Sequence, residues 1–324
     1  MVTRLSGIQP TGGVHLGNYL GAVRRWAAEH GPNDLFLIVD LHAMTTPHNP
    51  SRLRALTREQ LAVLVASGID PEVACVFVQS DLVDLHGALT WLLECTCHYG
   101  EATRMIQFKE KAARQSSVRL GLLTYPVLMA ADILLHGADE VPVGADQAQH
   151  LELARTLARR FNTTYGEVFT VPRGVLPRVA ARVRDLADPG RKMEKSAGNG
   201  PGVVYVLDPP EVIRRKVRRA VTDTEGEVRY DPERQPGVAN LLEILAACTD
   251  VSPYTAAATV DSYAALKEAV ADAVIEELRP VRERTTTLLA DPAELERVRK
   301  IGAERARERA VPRLEAALRV VGLR

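Results

Sequence analysis

The sequence predicts an α/β protein in which a parallel sheet is followed by a helical C-terminal part. Short, continuously apolar runs alternate with helical patterns in the first half of the chain, which is typical of parallel strands buried on both faces. A stretch rich in glycine and proline then interrupts this alternation at 188–202. The residues after it show almost only helical periodicity.

Composition places the chain among ordinary folded proteins. Hydrophobic residues make up 46% and charged residues 25% of its 324 residues, which excludes disordered and collagen-like chains. This length exceeds what one hydrophobic core usually organises, so we expect two domains. The apolar runs are far shorter than the roughly 20 residues that cross a bilayer, and no export signal is evident. We therefore expect a cytoplasmic protein that does not enter a membrane.

The N-terminal elements follow one another in the order that a parallel sheet requires. We predict strands at Thr3–Ser6, Asp34–Leu41 and Ala74–Gln79, and helices at Gly17–His30 and Ser51–Ser67, the second capped by Ser51. Helical patterns dominate 84–136, where Pro126 fits a first helical turn. A strand at Glu140–Val143 and a helix at Asp146–Phe161 complete this half.

The C-terminal part is predicted to be helical at Glu211–Val221, Ala239–Ala247, Ser262–Glu277 and Ala293–Leu318. These patterns suggest a catalytic domain at 1–190, a linking loop at 191–202 and a helical domain at 203–324. Four cysteines are too few for a disulfide framework, and Cys95 and Cys97 lack the second pair that a zinc site needs. We expect reduced thiols and no dedicated metal site.

The first candidate site is the glycine-rich segment GIQPTGGVHLGNY at 7–19. It combines an imidazole at His15, a glycine at Gly17 where backbone can approach a ligand, and a helix start at Asn18. Helix N-terminal amides attract phosphate, so the segment could cradle a nucleotide. A plain structural turn remains the alternative for this segment alone.

A second candidate segment lies far away in the sequence. Lys192 and Lys195 stand three residues apart in a glycine-flanked loop with the sequence Lys-Met-Glu-Lys-Ser. Two ammonium groups could clamp a triphosphate and stabilise the charge that grows on departing pyrophosphate when the α phosphorus is attacked. Gly144, Ala145 and Asp146, between a predicted strand and helix, could offer amides to a nucleotide, with Asp146 as a helix cap as the alternative.

Asp132 stands out because it lies among apolar residues in the segment GLLTYPVLMAADILLHGADEVPVGADQAQH at 121–150. A carboxylate in such surroundings rarely lacks a partner. A buried carboxylate in an apolar wall could accept a hydrogen bond from a largely apolar ligand that carries one donor. Packing into an ordinary core remains the alternative for its apolar neighbours.

These segments together resemble the class I aminoacyl-tRNA synthetases, and among them the tryptophan enzymes. The family carries a His-x-Gly-His-type element and a Lys-Met-Ser-Lys-Ser loop, both present here in variant form. His15-Leu16-Gly17-Asn18 has asparagine in the last position, as is common in the tryptophan enzymes, whereas Glu194 replaces the usual serine of the loop. The resemblance also includes GIDPEVACVFVQSD, RMIQFKEK, AVTDTEG and ELRPVRER and so covers nearly the whole chain.

The resemblance implies a Rossmann-like catalytic domain and a role for each matched residue. His15, Gln9, Lys192 and Lys195 would be catalytic. ATP would contact Gln9, Pro10, Thr11, Gly17, Asn18, Gly144, Ala145, Asp146, Val183, Lys192, Met193, Glu194, Lys195 and Ser196. Tryptophan would contact Asp132 through its indole N–H, Leu5, Met129, Val143 and His42 around the ring, and Tyr125 and Gln147 at the head group. Mg²⁺ would arrive with ATP, and the helical insertion at about 84–136 would build a homodimer.

The sequence leaves several alternative functions open. A nucleotidylyltransferase that does not use tRNA could carry the same His15 element, and a non-catalytic relative could bind tryptophan or tRNA with Glu194 disabling ATP activation. The tyrosine enzymes share the fold and both signatures. A predicted helix carries the basic residues Arg214, Arg215, Lys216, Arg218 and Arg219, which form either a solvated face or a contact with tRNA phosphates.

Overall fold

The centre of the protein is one sheet of five parallel strands. The computed structural model describes residues 2–113, 116–144, 147–175, 183–194 and 200–324. Within them the strands are β1 (Arg4–Ile8), β2 (Asp34–Ile38), β3 (Cys75–Val78), β4 (Glu140–Pro142) and β5 (Arg173–Val175), in the order β3-β2-β1-β4-β5. The order reverses between β1 and β4, and ligands of open α/β sheets usually bind beyond the carboxyl ends of strands at such a point.

Helices cover both faces of the sheet. They are α1 (Leu16–Asn18), α2 (Arg24–Glu29), α3 (Pro50–Ala66), α4 (Val83–Thr96), α5 (Tyr99–Thr103), α6 (Ile106–Ala112), α7 (Leu120–Leu135), α8 (Ala148–Tyr165), α9 (Pro210–Arg218), α10 (Pro236–Thr249), α11 (Pro253–Ala257), α12 (Tyr263–Ala290) and α13 (Pro292–Val320). The predicted α/β class with a parallel, Rossmann-like sheet is confirmed.

Side chains of each strand alternate between two hydrophobic cores, because successive residues of a strand point to opposite faces. Leu35 and Leu37 pack with α4, α7, α8 and part of α13. Phe36 and Ile38 pack with α3, α9, α10 and α12. The C-terminal helices therefore share a core with the sheet, while the division of the chain into domains at 191–202 stays a prediction.

Helix α13 lies against β3 at very short range. A Cβ atom on Gly302 would lie 1.8 Å from the carbonyl oxygen of Val76, so only glycine fits at this contact. Arg299 pairs with Asp81, and Arg307 pairs with Asp84 at 2.7 Å, which ties α13 to the first turn of α4 and the segment before it. The last long helix is thus fastened to the edge of the sheet near the start of α4.

Local capping and proline placement differ from prediction in two helices. The side chain of Asn49 caps α3 by accepting from the backbone N–H of Arg52, and Pro50 occupies the first turn, so the prediction that Ser51 caps this helix is wrong. Pro126 lies well inside α7 and not in a first turn. Burial of Pro126 between packed helices holds α7 together despite the missing N–H donor.

Two further elements differ from prediction. The predicted helix at 17–30 consists of α1, a π-helical turn at Tyr19–Val23 and α2, and such turns are frequent near functional sites. Strand β5 was missed because Arg173–Val175 is short and largely exposed, and it lacks the apolar run of a buried strand.

Other features of the described ranges concern membranes, thiols and metals. No helix in them is long and apolar enough to cross a membrane. All four cysteines are free thiols, with Cys75 buried and Cys95 exposed. The described residues contain no group of three or more His, Cys, Asp or Glu side chains that could hold a metal ion.

Candidate functional site

The glycine-rich segment leaves the carboxyl end of β1 and is held from beneath by one buried side chain. Nε2 of Gln60, on α3, donates to the carbonyl oxygens of Gln9 and Gly12, both at 3.0 Å. Gln60 is fully buried, Pro10 is buried and Thr11 is exposed. Because one amide group satisfies two carbonyls of the turn, the backbone is fixed where β1 delivers it to the crevice.

His15 caps the helix that follows this turn. Its Nδ1 accepts from the backbone N–H of Asn18 at 3.2 Å, and the ring is buried. A neutral His15 with an accepting Nδ1 carries its proton on Nε2, which can donate to an anion. The side-chain oxygen of Asn18 is buried and has no hydrogen-bond partner among the described residues.

Backbone contacts bring the lysine-containing loop to His15, although about 177 residues separate the two segments. The N–H of Leu16 donates to the carbonyl oxygen of Val204 at 2.8 Å, and the N–H of Val206 donates to the carbonyl oxygen of Val14 at 2.8 Å. The N–H of Met193 donates to Val183 at 3.3 Å, and a Cβ on Gly17 would lie 3.4 Å from Cβ of Val183.

Some of the predicted ATP-binding residues therefore lie close together in the structure. Val183 and Met193 are buried beside Gly17, while Lys192 and Glu194 are exposed at the start of the loop. Gly144 is exposed at the carboxyl end of β4, where its carbonyl accepts from the N–H of Gln147 at 2.9 Å. Four predicted residues lie outside the described residues: Ala145, Asp146, Lys195 and Ser196.

An apolar wall lies on one face of the sheet, against β1 and the end of β4. Leu5 and Val143 are buried in the same core as α7, and Met129 packs against that core half-buried. The strands position Leu5 and Val143 on one face of the sheet, and α7 covers that face. The three apolar residues predicted to contact the ring, Leu5, Met129 and Val143, thus belong to one apolar cluster.

Asp132 is the polar group of this wall, and three donors surround it. Its Oδ2 lies 2.9 Å from Nε2 of His42, and its Oδ1 accepts from Nε2 of Gln79 at 2.7 Å. Nδ1 of His86 lies 2.8 Å from the same Oδ1. Burial by itself would raise the pKa of Asp132, but the close contacts with His42 and His86 outweigh it and hold the pKa well below its usual range. The buried side chain is therefore a carboxylate.

Tyr125 lies on the same helix as Asp132 and reaches the other side of the site. Its hydroxyl lies 2.7 Å from Nε2 of His150, and its ring meets the ring of His42 edge-on at 6.1 Å between centroids. Burial raises the pKa of Tyr125 to about 12, so the phenol stays protonated near neutral pH. Gln147 precedes α8 by one residue, three positions before His150.

Lys111 reaches the same ring from α6. Its Nζ lies 5.3 Å from the centroid of Tyr125, and burial lowers the pKa of this ammonium. Such a distance allows a cation–π contact. A cation from the insertion at 84–136 thereby stands close to the predicted head-group site.

Sequence reasoning missed the residues that hold the site from behind, which are Gln60, Gln79 and His86. Each is fully buried. The available signal was a polar residue inside an apolar pattern, such as Gln60 just before the run LAVLVA at 61–66. Such a pattern indicates that the buried polar residue has a hydrogen-bond partner, but it does not identify the partner, which lies up to 53 positions away in the sequence.

The basic residues of α9 are largely engaged within the chain. Arg214 pairs with Glu268 and with Asp272, the latter at 2.6 Å, and Lys216 pairs with Asp208 at 2.6 Å. Arg218 also lies 3.5 Å from Glu268. Arg215 and Arg219 line a surface cavity together with other residues of this helix. The choice between a solvated face and a phosphate contact therefore stays open.

Comparisons with known proteins agree along the whole chain. The family of tRNA synthetases class I (W and Y) matches residues 2–279. Tryptophan–tRNA ligase 1 of Streptomyces coelicolor is 57% identical, over 100% of this chain and 98% of that protein. A crystal structure of tryptophanyl-tRNA synthetase from Mycoplasma pneumoniae matches with a TM-score of 0.90 at 35% identity, covering 100% of this chain and 99% of that one. The Campylobacter jejuni enzyme, complexed with ADP and tryptophan, matches with a TM-score of 0.85 at 29% identity, covering 99% and 100%.

Proposed function

The chain belongs to the class I tRNA synthetases of the tryptophan and tyrosine group, and from that premise we infer that tryptophan is its amino acid. It activates L-tryptophan with ATP to give tryptophanyl-adenylate and pyrophosphate, and then transfers tryptophan to the 3′ end of its tRNA. The observation that carries this specificity is Asp132, a buried acceptor in an apolar wall that fits the single donor of indole.

The pocket proposed for tryptophan places each part of the amino acid against a matching surface. Leu5, Met129 and Val143 would face the ring, with His42 beside it. Tyr125 and Gln147 would hold the ammonium and carboxylate groups. Asp132 keeps its charge when buried and therefore accepts the indole N–H. The hydroxyl of tyrosine is also a donor, but it would lie at a different position from the indole N–H.

Activation needs little covalent chemistry from the protein. A carboxylate oxygen of tryptophan attacks the α phosphorus of ATP, the bond from that phosphorus to the bridging oxygen breaks, and pyrophosphate leaves. Negative charge then grows on the departing phosphates, and His15 Nε2 and Lys192 would stabilise it there, with Lys195 as the second lysine. A terminal ribose hydroxyl of tRNA next attacks the carbonyl carbon, and AMP leaves.

The remaining nucleotide contacts are proposed from the resemblance to the family. Gln9, Pro10, Thr11, Gly17 and Asn18 would line the phosphates. Val183 and Met193 would pack near adenine, and Gly144, Ala145 and Asp146 would face ribose, with Ser196 and Glu194 on the loop. The described residues offer no carboxylate cluster for a free cation, so Mg²⁺ would be held through the phosphates of ATP, whose charge it neutralises.

Glu194 is the departure from the family pattern, and we propose that it weakens the binding of ATP. It is exposed at the start of the loop, where its charge would oppose a triphosphate. Exposure keeps this repulsion small because water screens it. The substitution therefore lowers affinity and does not abolish activation.

A homodimer is the proposed assembly, built on the insertion at 84–136. Three of its large hydrophobic side chains are strongly exposed: Trp91 by 65%, Leu120 by 72% and Tyr99 by 78%. Large apolar side chains that remain exposed in a monomer are candidates for a protein interface. Sedimentation of the unmodified chain tests this: a monomer at micromolar concentration would contradict it.

The wider organisation is proposed on the same basis. Residues 1–190 would form the catalytic domain, 191–202 the loop that holds the two lysines, and 203–324 the part that binds the anticodon region of tRNA. Arg215 and Arg219 are the basic residues of α9 best placed for tRNA phosphates, because no carboxylate of the described residues pairs with them. Charging tRNA serves protein synthesis, so the cytoplasm is the proposed location.

The proposal is tested by ATP–pyrophosphate exchange driven by each amino acid in turn. Only tryptophan should drive exchange in the unmodified chain, and Asp132→Asn should lose most of it, because the amide brings two donors into a site that already supplies three. Asp34→Asn is the matched control: Asp34 is also a buried carboxylate, but it pairs with Arg4 at the amino end of its strand. Exchange driven by tyrosine, or by no amino acid, would contradict the proposal.

A further inference from the structure

A buried histidine behind Asp132 is not among the residues proposed above to contact a substrate. His86 lies on α4 and is fully buried, and its Nδ1 is 2.8 Å from Oδ1 of Asp132 on α7. Leucine or phenylalanine could fill this position without the free energy that burial of an imidazole costs. Neither ring nitrogen makes a well-aligned hydrogen bond with the described residues, so the close ion-pair contact of Nδ1 with the carboxylate is what compensates that cost.

The donors around Asp132 are unequally divided between its two oxygens. Oδ1 faces Gln79 at 2.7 Å and His86 at 2.8 Å, whereas Oδ2 faces only His42, at 2.9 Å, among the described residues. A carboxylate oxygen accepts about two hydrogen bonds through its lone pairs. Oδ1 is therefore filled from behind, and Oδ2 keeps one place for a further donor.

Orientation matters because Oδ1 and Oδ2 are chemically equivalent and a free carboxylate can rotate. With His86 and Gln79 both on Oδ1, rotation would separate two donors from their acceptor in a buried place, which is strongly unfavourable. Gln79 is itself fixed, since its Oε1 accepts from the N–H of Leu41 at 3.0 Å. Without His86, one place on Oδ1 would open and could compete with Oδ2 for the ligand.

We propose that His86 is a positioning residue for amino-acid selection, which fills Oδ1 of Asp132 and thereby presents Oδ2 to the N–H of indole. This rests on the proposed function, because it assumes that Asp132 binds the indole ring. His86 itself touches no substrate. Its role is to make one oxygen of the carboxylate the only acceptor that the ligand meets.

The test compares tryptophan with an analogue that has the same shape but no N–H, β-(benzothiophen-3-yl)alanine. Affinity for tryptophan is read as its KM in ATP–pyrophosphate exchange, and affinity for the analogue as its inhibition constant in the same assay. His86→Gln keeps a polar side chain but places its donor beyond the position of Nδ1, whereas His86→Asn places an amide nitrogen near that position. Leu89→Ala, which truncates a fully buried apolar residue of the same helix, controls for loosened packing.

We expect His86→Gln to weaken tryptophan relative to the analogue by about 10-fold to 100-fold, the range of one charge-assisted hydrogen bond. His86→Asn should keep most of the preference for tryptophan over the analogue. Leu89→Ala should lower the melting temperature but leave this preference unchanged. An unchanged preference in His86→Gln, or an equal loss in Leu89→Ala, would overturn the proposal. If the unmodified chain shows no tryptophan-driven exchange, the proposed function itself fails. If Asp132→Asn loses the preference for tryptophan and His86→Gln keeps it, the proposed function stands and only the role of His86 is contradicted.

Discussion

His136 should contribute to the acid sensitivity of the protein, and His136→Leu should remove that contribution. The ring of His136 is almost completely buried, and neither of its nitrogens has a hydrogen-bond partner among the described residues. It lies 4.9 Å from Phe77 and 5.4 Å from His86 between ring centroids. Burial first, and then the nearby positive groups, lower its pKa from 6.5 to about 3. The folded protein therefore holds this ring neutral.

The direction in which the free energy of unfolding changes with pH follows from which state, folded or unfolded, binds the proton. Between pH 6.5 and about 3 the unfolded chain protonates His136 and the folded chain does not, so the free energy of unfolding falls as the pH falls. At pH 5 the loss from this one group amounts to roughly 2 kcal/mol relative to pH 8, since each unit of pKa difference is worth about 1.4 kcal/mol. Below pH 3 the loss reaches its limit.

Denaturant unfolding between pH 8 and pH 5 measures this effect directly. The difference in unfolding free energy between the two pH values should be smaller in His136→Leu than in the unmodified chain by about 2 kcal/mol. His48→Leu is the matched control, because His48 is exposed, and it should retain the acid sensitivity of the unmodified chain. Equal pH dependence in His136→Leu and the unmodified chain would refute the assignment of a neutral buried ring.

Three further substitutions test the fold and the ATP site. Gly302→Ala should destabilise the protein by roughly 2 kcal/mol, because the new Cβ would overlap Val76, whereas Gly87→Ala, with open space around it, should be neutral or stabilising in the same melts. Gln60→Leu leaves two carbonyls of the glycine-rich turn without their donor, so the KM for ATP should rise about tenfold while the KM for tryptophan changes little; a rise in both would mean general damage. Glu194→Ser should lower the KM for ATP by about 2-fold to 5-fold, and an unchanged value would contradict repulsion by this carboxylate.

Much of the fold could be predicted because it depends on local patterns. The strands with continuous apolar runs, such as Asp34–Ile38 and Cys75–Val78, lie where they were predicted to within a few residues. Three-residue β5 could not be predicted, because its exposed side chains give no periodic signal and its pairing with β4 depends on distant chain. Pro126 shows the same limit, since packing against neighbouring helices overrides the local preference for a helix start.

The sequence by itself determined which chemical groups are available: a histidine next to a flexible turn, two lysines in a loop, and one carboxylate in an apolar run. These groups can be recognised from residue identity and short-range spacing, because such spacing reflects local elements and not contacts between distant parts of the chain. Only the tertiary structure decided that His42, Gln79 and His86 converge on Asp132 from three separate elements. Hydrogen bonds between such distant residues depend on how helices pack on the sheet, and no local pattern in the chain carries that information.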